Sequence, residues 1–161
     1  MTVSSGPVRA RPATSADAEL ASEIVALCHT AMLAQRDGEL WNSLDKNSLA
    51  VTARLQQRIN DSIVIIGEIK EVPVGVAVLD LRRPSDHIGD APIAVIEEIY
   101  TMPDARGVGV GSAMITTAVE WCRSVGARGI EAIALPGDRN TKNFFEAHRL
   151  TARSIRVHRT L

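Results

Sequence analysis

The chain has little of several things that would mark a specialised chemistry. Aromatic residues make up 3% of its 161 positions: two Trp, two Phe and a single Tyr. Proteins that track single-stranded nucleic acid stack its bases on interleaved aromatics, and too few are present for that. Cysteine occurs twice, at Cys28 and Cys122. Each falls in a helical apolar pattern and no metal-ligand spacing links them, so both read as small buried hydrophobes. His29, His87, His148 and His158 show no ligand spacing either, and no metal is expected. No apolar run approaches the roughly 20 residues of a transmembrane helix. Residues 1–7 lack the charged-then-apolar order of a signal peptide, which makes a cytoplasmic location the default. Net charge is nearly absent too: 18 Lys and Arg against 19 Asp and Glu give −1. That balance argues against nucleic acid and against a membrane surface as partners.

What is present fits one globular domain. The apolar fraction is 45% and the charged fraction 23%, and the length allows a core without staples. A loose tail over 1–7 and a single domain over 8–161 are expected. Residues 8–10 read as a short strand, and Thr14-Ser15 as a cap. A helix follows from Asp17 to about Leu33, where Leu20, Ile24, Leu27, Cys28 and Ala31 recur at helical spacing. The stretch RDGELWNSLDKN (36–47) is polar and turn-rich, with Leu40, Trp41 and Leu44 as its apolar side. A second helix is expected over 48–59. The β-branched runs SIVIIGEI (62–69) and VGVAVLDL (74–81) predict an antiparallel hairpin turning at 70–73. After a polar loop over 82–90, APIAVIEEIYTM (91–102) is a third long strand, ended by Pro103.

A helix over 109–125 has Ile115, Ala118, Val119, Cys122 and Val125 on one face and Gly126 as its C-terminal glycine. RGIEAIAL (128–135) is a further strand, and Asp138 caps a short helix to about His148. ARSIRVHRT (152–160) alternates and reads as a closing strand. The order β-α-α-β-β-β-α-β-α-β describes an α/β domain with a mixed sheet.

The most informative stretch is YTMPDARGVGVGSAM (100–114), where Gly107, Gly109 and Gly111 alternate just before the helix. Strand, glycine turn and helix, in that order, leave backbone N–H groups pointing outward at a helix N-terminus. Those groups and the helix dipole favour an anion, and glycine lets it approach the main chain. Up to about 1 kcal/mol per glycine is lost in helix stability, so the pattern has a purpose beyond turning. A Walker loop needs Gly-Lys-Ser/Thr, and no lysine follows. A dinucleotide fingerprint needs a third glycine where Ser112 stands, and no acidic residue is placed to bind a ribose.

Arg106-Gly-Val-Gly109-Val-Gly111 resembles the Arg/Gln-x-x-Gly-x-Gly/Ala signature of the GNAT superfamily of N-acetyltransferases. The hairpin before it, the strand after it and the NFFE helix (143–146) fall in family order, so the likeness covers about residues 8–160. It implies an α/β fold with a mixed, mostly antiparallel central sheet flanked by helices. It also implies a splayed strand pair, here 91–102 and 128–135, that admits acetyl-CoA. Main-chain groups of Ile99, Tyr100 and Thr101 would pair with the pantetheine arm. Arg106, Gly107, Val108, Gly109, Val110, Gly111 and Ser112 would hold the pyrophosphate. The family often has a cofactor-touching Asn after its fifth strand; Asp138 occupies that register, with Asn140 and Asn143 nearby.

Amine acetylation needs a deprotonated amine, a polarised thioester and a proton for the leaving thiolate. The resemblance implies a Tyr for the last step, but the sequence reads Phe144-Phe145-Glu146. His148, one turn on, is a possible donor or simply solvated. Glu97 and Glu98 are candidates for general base, with salt bridges as the alternative. As neighbours in a strand they should face opposite sides, Glu97 sharing parity with Ile99 and Thr101. Glu131 is a weaker third. Leu40, Trp41 and Leu44 could line the acceptor cleft or pack in the core. The four arginines of 149–159 read as a solvated strand face. Two functions stay open: an acetyl-CoA-dependent N-acetyltransferase acting on a small-molecule or peptide amine, or an acyl-CoA-binding sensor without catalysis. A homodimer is open as well.

Overall fold

The computed structural model describes residues 7–45, 51–61, 63–83 and 91–161. Strand β1 (Val8–Pro12) leads through a single 3-10 turn into helix α1 (Ala18–Leu33), followed by α2 (Gly38–Asp45) and α3 (Val51–Asn60). Then come β2 (Val64–Ile69), β3 (Val72–Arg82), β4 (Ile93–Thr101), α4 (Val110–Ser124), β5 (Gly129–Ala132) and α5 (Arg139–Ala147). The strands lie side by side in chain order. The first three joins are antiparallel and the last, β4 to β5, is parallel. This is the mixed, mostly antiparallel sheet flanked by helices that the sequence implies. No helix among the described residues is long and apolar enough to cross a membrane.

Each face of the sheet has its own core. On one, Ile65, Ala77, Leu79, Ala94 and Ile96 meet Val110, Met114, Ala118 and Cys122 of α4 and Phe145 of α5. On the other, Val64, Ile66, Val76 and Val78 meet Ala21, Ile24 and Val25 of α1 and Leu55 and Ile59 of α3. With both faces covered, every residue of β2 is buried, which is why its sequence is nearly continuously apolar. The hairpin turn is two residues, Lys70 and Glu71, with φ of 51° and 67°, the left-handed pair that suits the strand twist. Gly67 and Gly75 are the close-approach glycines. A Cβ on Gly67 would fall 2.6 Å from Val110 Cγ1, and one on Gly75 3.0 Å from the Tyr100 carbonyl oxygen. Their bareness lets the start of α4 settle directly on the sheet.

Three expectations change. The stretch 36–47 contains α2, an eight-residue helix held by burial of Trp41, a tertiary contact that its polar composition does not advertise. The strand expected over 128–135 is confined to Gly129–Ala132. Residues 152–160 form no strand, and Ile155 and Val157 are 90% and 88% exposed. Alternation supplies a face to bury, but a strand also needs a neighbouring ladder, and among the described residues none accompanies this segment. The expected helix start over 48–50 and most of the expected loop, 84–90, lie outside the described residues.

The open edge of β1 is pinned by ion pairs. Arg11 donates to Asp17 at 2.8 and 2.9 Å and to the buried Glu68 at 2.8 Å, while Arg9 reaches Glu68 at 2.8 Å. The Asp17 carboxyl is held well below its usual range, first by the Arg11 hydrogen bonds and then by those from Thr14. For Glu68, burial pushes the value up, and the two guanidiniums together outweigh it, so the net direction is down. Lowered values on folding mean that this stabilisation is fully present above the unfolded carboxyl range near pH 4 and is lost as pH falls through the folded values. Arg11→Ala should therefore lower unfolding stability at pH 7 by about 2 kcal/mol. That is less than for a fully buried pair, because the Arg11 side chain is 35% exposed. It should also flatten the loss of stability below about pH 4, measured by urea titrations across pH.

Candidate active site

β4 contains one residue more than its pairing with β3 requires. Val78 pairs with Glu98 and Leu79 with Ile96, which leaves Glu97 in a bulge. An extra residue inverts the in–out alternation beyond it. Ala94 and Ile96 pack on the α4 side, as does Ile99, whereas Tyr100 packs on the side of α1 and α3. Glu97 and Glu98, expected on opposite faces, consequently meet the same arginine on α3. Arg54 Nη2 donates to Glu98 Oε1 at 2.8 Å, and Arg54 Nη1 lies 3.6 Å from Glu97 Oε2. The bulge also marks the end of the β4–β5 ladder, whose last pair is Ile96 with Ala132.

Beyond that point the two strands part, and a cavity of about 690 Å³ opens between them. Its walls are β4 from Ile96 to Thr101, the glycine turn, Ile133 and Leu135 after β5, Asn140, Thr141, Phe144 and Phe145 of α5, Cys28, Ala31 and Met32 of α1, and Gln35 just beyond it. The three glycines of the turn serve two ends. Gly107 and Gly109 have φ of 79° and 101°, and a Cβ on either would meet nothing within 4 Å, so both are there for left-handed backbone. Gly111 is required by packing, because a Cβ there would fall 2.9 Å from Phe144 Cε2. Gly109 is the N-cap of α4 and offers no side-chain cap. The first N–H groups of α4 thus start without intrahelical acceptors, and Gly109, Val110, Gly111 and Ser112 border the cavity.

Neighbouring side chains fix this turn. Arg106 Nε donates to the Thr101 carbonyl at 2.9 Å, and its guanidinium lies 5.0 Å from the centroid of the Tyr100 ring. His148 Nδ1–H donates to the Phe144 carbonyl at 2.7 Å, and Nε2 shares a hydrogen bond of 2.9 Å with the Ser112 hydroxyl. His148 therefore ties α5 to the start of α4, and it is not among the cavity walls. Asp138 borders the cavity and caps α5, accepting from Thr141 N–H at 3.1 Å. Asn140 is in the wall, whereas Asn143 is exposed and outside it. Val108 is exposed beside the turn, and Glu131 is exposed on β5, outside the wall. Trp41 is buried beneath α2 with its ring edge-on to His29, 5.9 Å between centroids. Leu40 is half-buried, and the side chain of Leu44 lies outside the described residues.

Several residues at the site carried no sequence signal. Glu98, with a fully buried side chain, accepts from His29 Nε2 at 2.9 Å as well as from Arg54. Glu97 is 2.9 Å from Arg82 Nη2 and 3.4 Å from Arg58 Nη2. Arg58 and Arg82 also reach Asp80, at 2.7 and 3.3 Å. These partners come from α1, α3 and β3, up to 69 residues away in the chain, and no local spacing announces them.

The model of the acetyltransferase (GNAT) family matches residues 24–149, from α1 through α5. The chain belongs to the acetyltransferase (GNAT) family. It is also similar to an uncharacterized N-acetyltransferase of Methanocaldococcus jannaschii, at 35% identity over 77 residues. That stretch is 48% of this chain and 33% of the relative, so the match spans about a third of the relative's length. Among solved structures, a tetramutant of the BH1408 protein of Bacillus halodurans aligns with a TM-score of 0.76 at 15% identity, over 94% of this chain and 99% of that one. The aminoglycoside N-acetyltransferase AAC(6')-Iy, solved with CoA, aligns over all of both chains with a TM-score of 0.73 at 16% identity. At such identities the likeness is one of fold.

Gly111→Ala should force Phe144 and α5 away from α4 and lower stability by about 1–3 kcal/mol. Thermal unfolding of a double-mutant cycle checks the cause: in a Phe144→Leu background the same alanine should cost markedly less.

Proposed function

We propose that the protein transfers an acetyl group from acetyl-CoA to an amine by direct attack in a ternary complex. The observation that carries this reading is one cavity uniting two features: an uncapped helix N-terminus behind two left-handed glycines, and a β4 segment freed from β5 by the bulge. The first suits a diphosphate, and the second offers main-chain groups to an extended arm. The residues fit coenzyme A on those grounds. The N–H groups of 107–112, with Arg106, would hold the pyrophosphate. Ile99, Tyr100 and Thr101 would face the pantetheine arm. Asn140 is better placed than Asn143 to touch the cofactor, and Asp138 serves as the cap of α5.

Acetyl-CoA supplies an activated acyl group when bound. Its thioester carbonyl needs hydrogen-bond donors where negative charge develops, and β4 beyond the bulge is the element that can provide main-chain N–H groups. As the amine nitrogen bonds to the acyl carbon, the carbon–sulfur bond breaks and one proton passes, net, from nitrogen to sulfur. Phe145 is buried in the core beside the cavity and has no hydroxyl, so the thiolate would take its proton from water. Glu98 and Glu97, the candidate bases, border the same cavity. Phe145 also favours a second reading, in which the fold binds acyl-CoA as a sensor and transfers nothing.

Gly109→Asp tests the cofactor assignment, with Gly109→Ala as the control for the strain that any side chain meets at a φ of 101°. It adds a negative charge where the diphosphate would sit, and CoA affinity measured by calorimetry should fall by about 100-fold or more. Unchanged affinity would overturn the cofactor assignment. Thiol release from acetyl-CoA with added amines decides between enzyme and sensor, since CoA binding without release from any amine supports the sensor.

A further inference from the structure

We propose that the segment after α5, residues 151–161, is a strand donated to a second copy of this chain. There it pairs with the free edge of β5, and the exchange is reciprocal. The inference is independent of the acetyl-CoA reading. Beyond α5 the chain is anchored as far as Leu150, whose N–H donates to the Phe145 carbonyl at 3.0 Å and whose side chain packs against the core of α4 and α5. Every residue over 151–161 is exposed and in no helix or strand. The segment still carries the pattern of a strand: Ile155 and Val157 share one face, and Ser154, Arg156 and His158 the other. Those two apolar side chains are almost fully in water, an unfavourable place for them unless something covers the face.

The sheet has one edge that suits such a strand. Its order places β1 and β5 outermost. β1 ends in Pro12 and carries Arg9 and Arg11, and proline and charge are what deter further pairing at an edge. β5 carries Glu131 as its single charged residue, and among the described residues β4 is its one neighbour. The ladder with β4 stops at Ala132, whereas the apolar sequence runs on through Ile133, Ala134 and Leu135. Ile133 is 42% exposed. A strand on the other edge gives these residues the ladder that β4 does not.

Faces and charges agree. Ile130 and Ala132 of β5 turn to the core shared by α4 and α5, and Glu131 is exposed on the opposite face. With Ile155 and Val157 beside Ile130 and Ala132, the parity of the strand puts Arg156 on the side of Glu131. The segment also carries Arg153 and Arg159, so its charge is opposite to that of the edge it meets. The occupant is a second copy because the segment stays exposed although the β5 edge of its own chain is open. Each copy gives one strand and receives one, so the assembly closes as a two-fold dimer and does not grow into a fibre. The donated strand passes beside Ile133 and Leu135, which line the cavity, so each copy backs the cavity wall of the other.

The test uses the full chain and reads mass and backbone protection on the same sample. Light scattering should give twice the 17.3 kDa of one copy, and hydrogen exchange should show slow amides in both 153–159 and 129–135. Ile155→Asp combined with Val157→Asp places charge on the face that exchange must bury, at two positions that pack against nothing in the single copy. The dissociation constant of the dimer should rise by about 100-fold or more, and protection of 153–159 should disappear with it. A monomer would overturn the inference, whether its segment exchanges freely or is protected by pairing with its own β5. So would a dimer whose segment exchanges fast, which must use another face, and a dimer that the double substitution leaves intact.

Discussion

One inserted residue in β4 sets the geometry on which the rest of the site depends. Glu97 sits where the β3–β4 register slips, and the slip has two effects at once. It rotates the following residues by one step, which brings Glu98 to the same side as Glu97 and within reach of α1 and α3. It also coincides with the last rung shared with β5, so the strand beyond it presents an edge to a cavity and not to a neighbour. A regular β4 would bury that edge in a longer ladder and turn one of the carboxylates into the α4 core, where no arginine waits.

The second element of the site is the position of α4. Its N-terminus can serve an anion only if it reaches the mouth of the cavity with its N–H groups open. Gly67 and Gly75 let Val110 and Met114 approach the sheet, Gly109 turns the chain without offering a cap, and Gly111 admits Phe144. His148 and Ser112 then tie α5 across the first turn of α4. Packing holds these groups in place before any ligand arrives, so little ordering is left to binding.

Two arginine–carboxylate networks occupy the α1 and α3 side of the sheet and do different things. The one around Glu68, Arg9, Arg11 and Asp17 closes the edge strand. The one around Glu97, Glu98, Arg54, Arg58 and Arg82 reaches the cavity through its two glutamates. Those interactions make the carboxylates tolerable in an apolar strand.

The order of the elements, the hairpin, the glycine turn and the helix cap at Asp138 were legible in the sequence because each rests on short-range chemistry: periodicity, φ preference, a side chain reaching two or three residues along. The short helix around Trp41 and the exposed course of 152–160 were not, since each depends on whether another part of the chain is there to pack or pair with it. Nor could the pattern IEEI, by itself, say that its two glutamates share a face. Alternation predicted the opposite, and only the register against β3 decided otherwise. The sequence by itself determined where a glycine turn opens the N-terminus of α4. The tertiary structure alone decided that Arg54, far away in the chain, pairs with Glu98, because charge compensation is a property of distances that sequence does not contain.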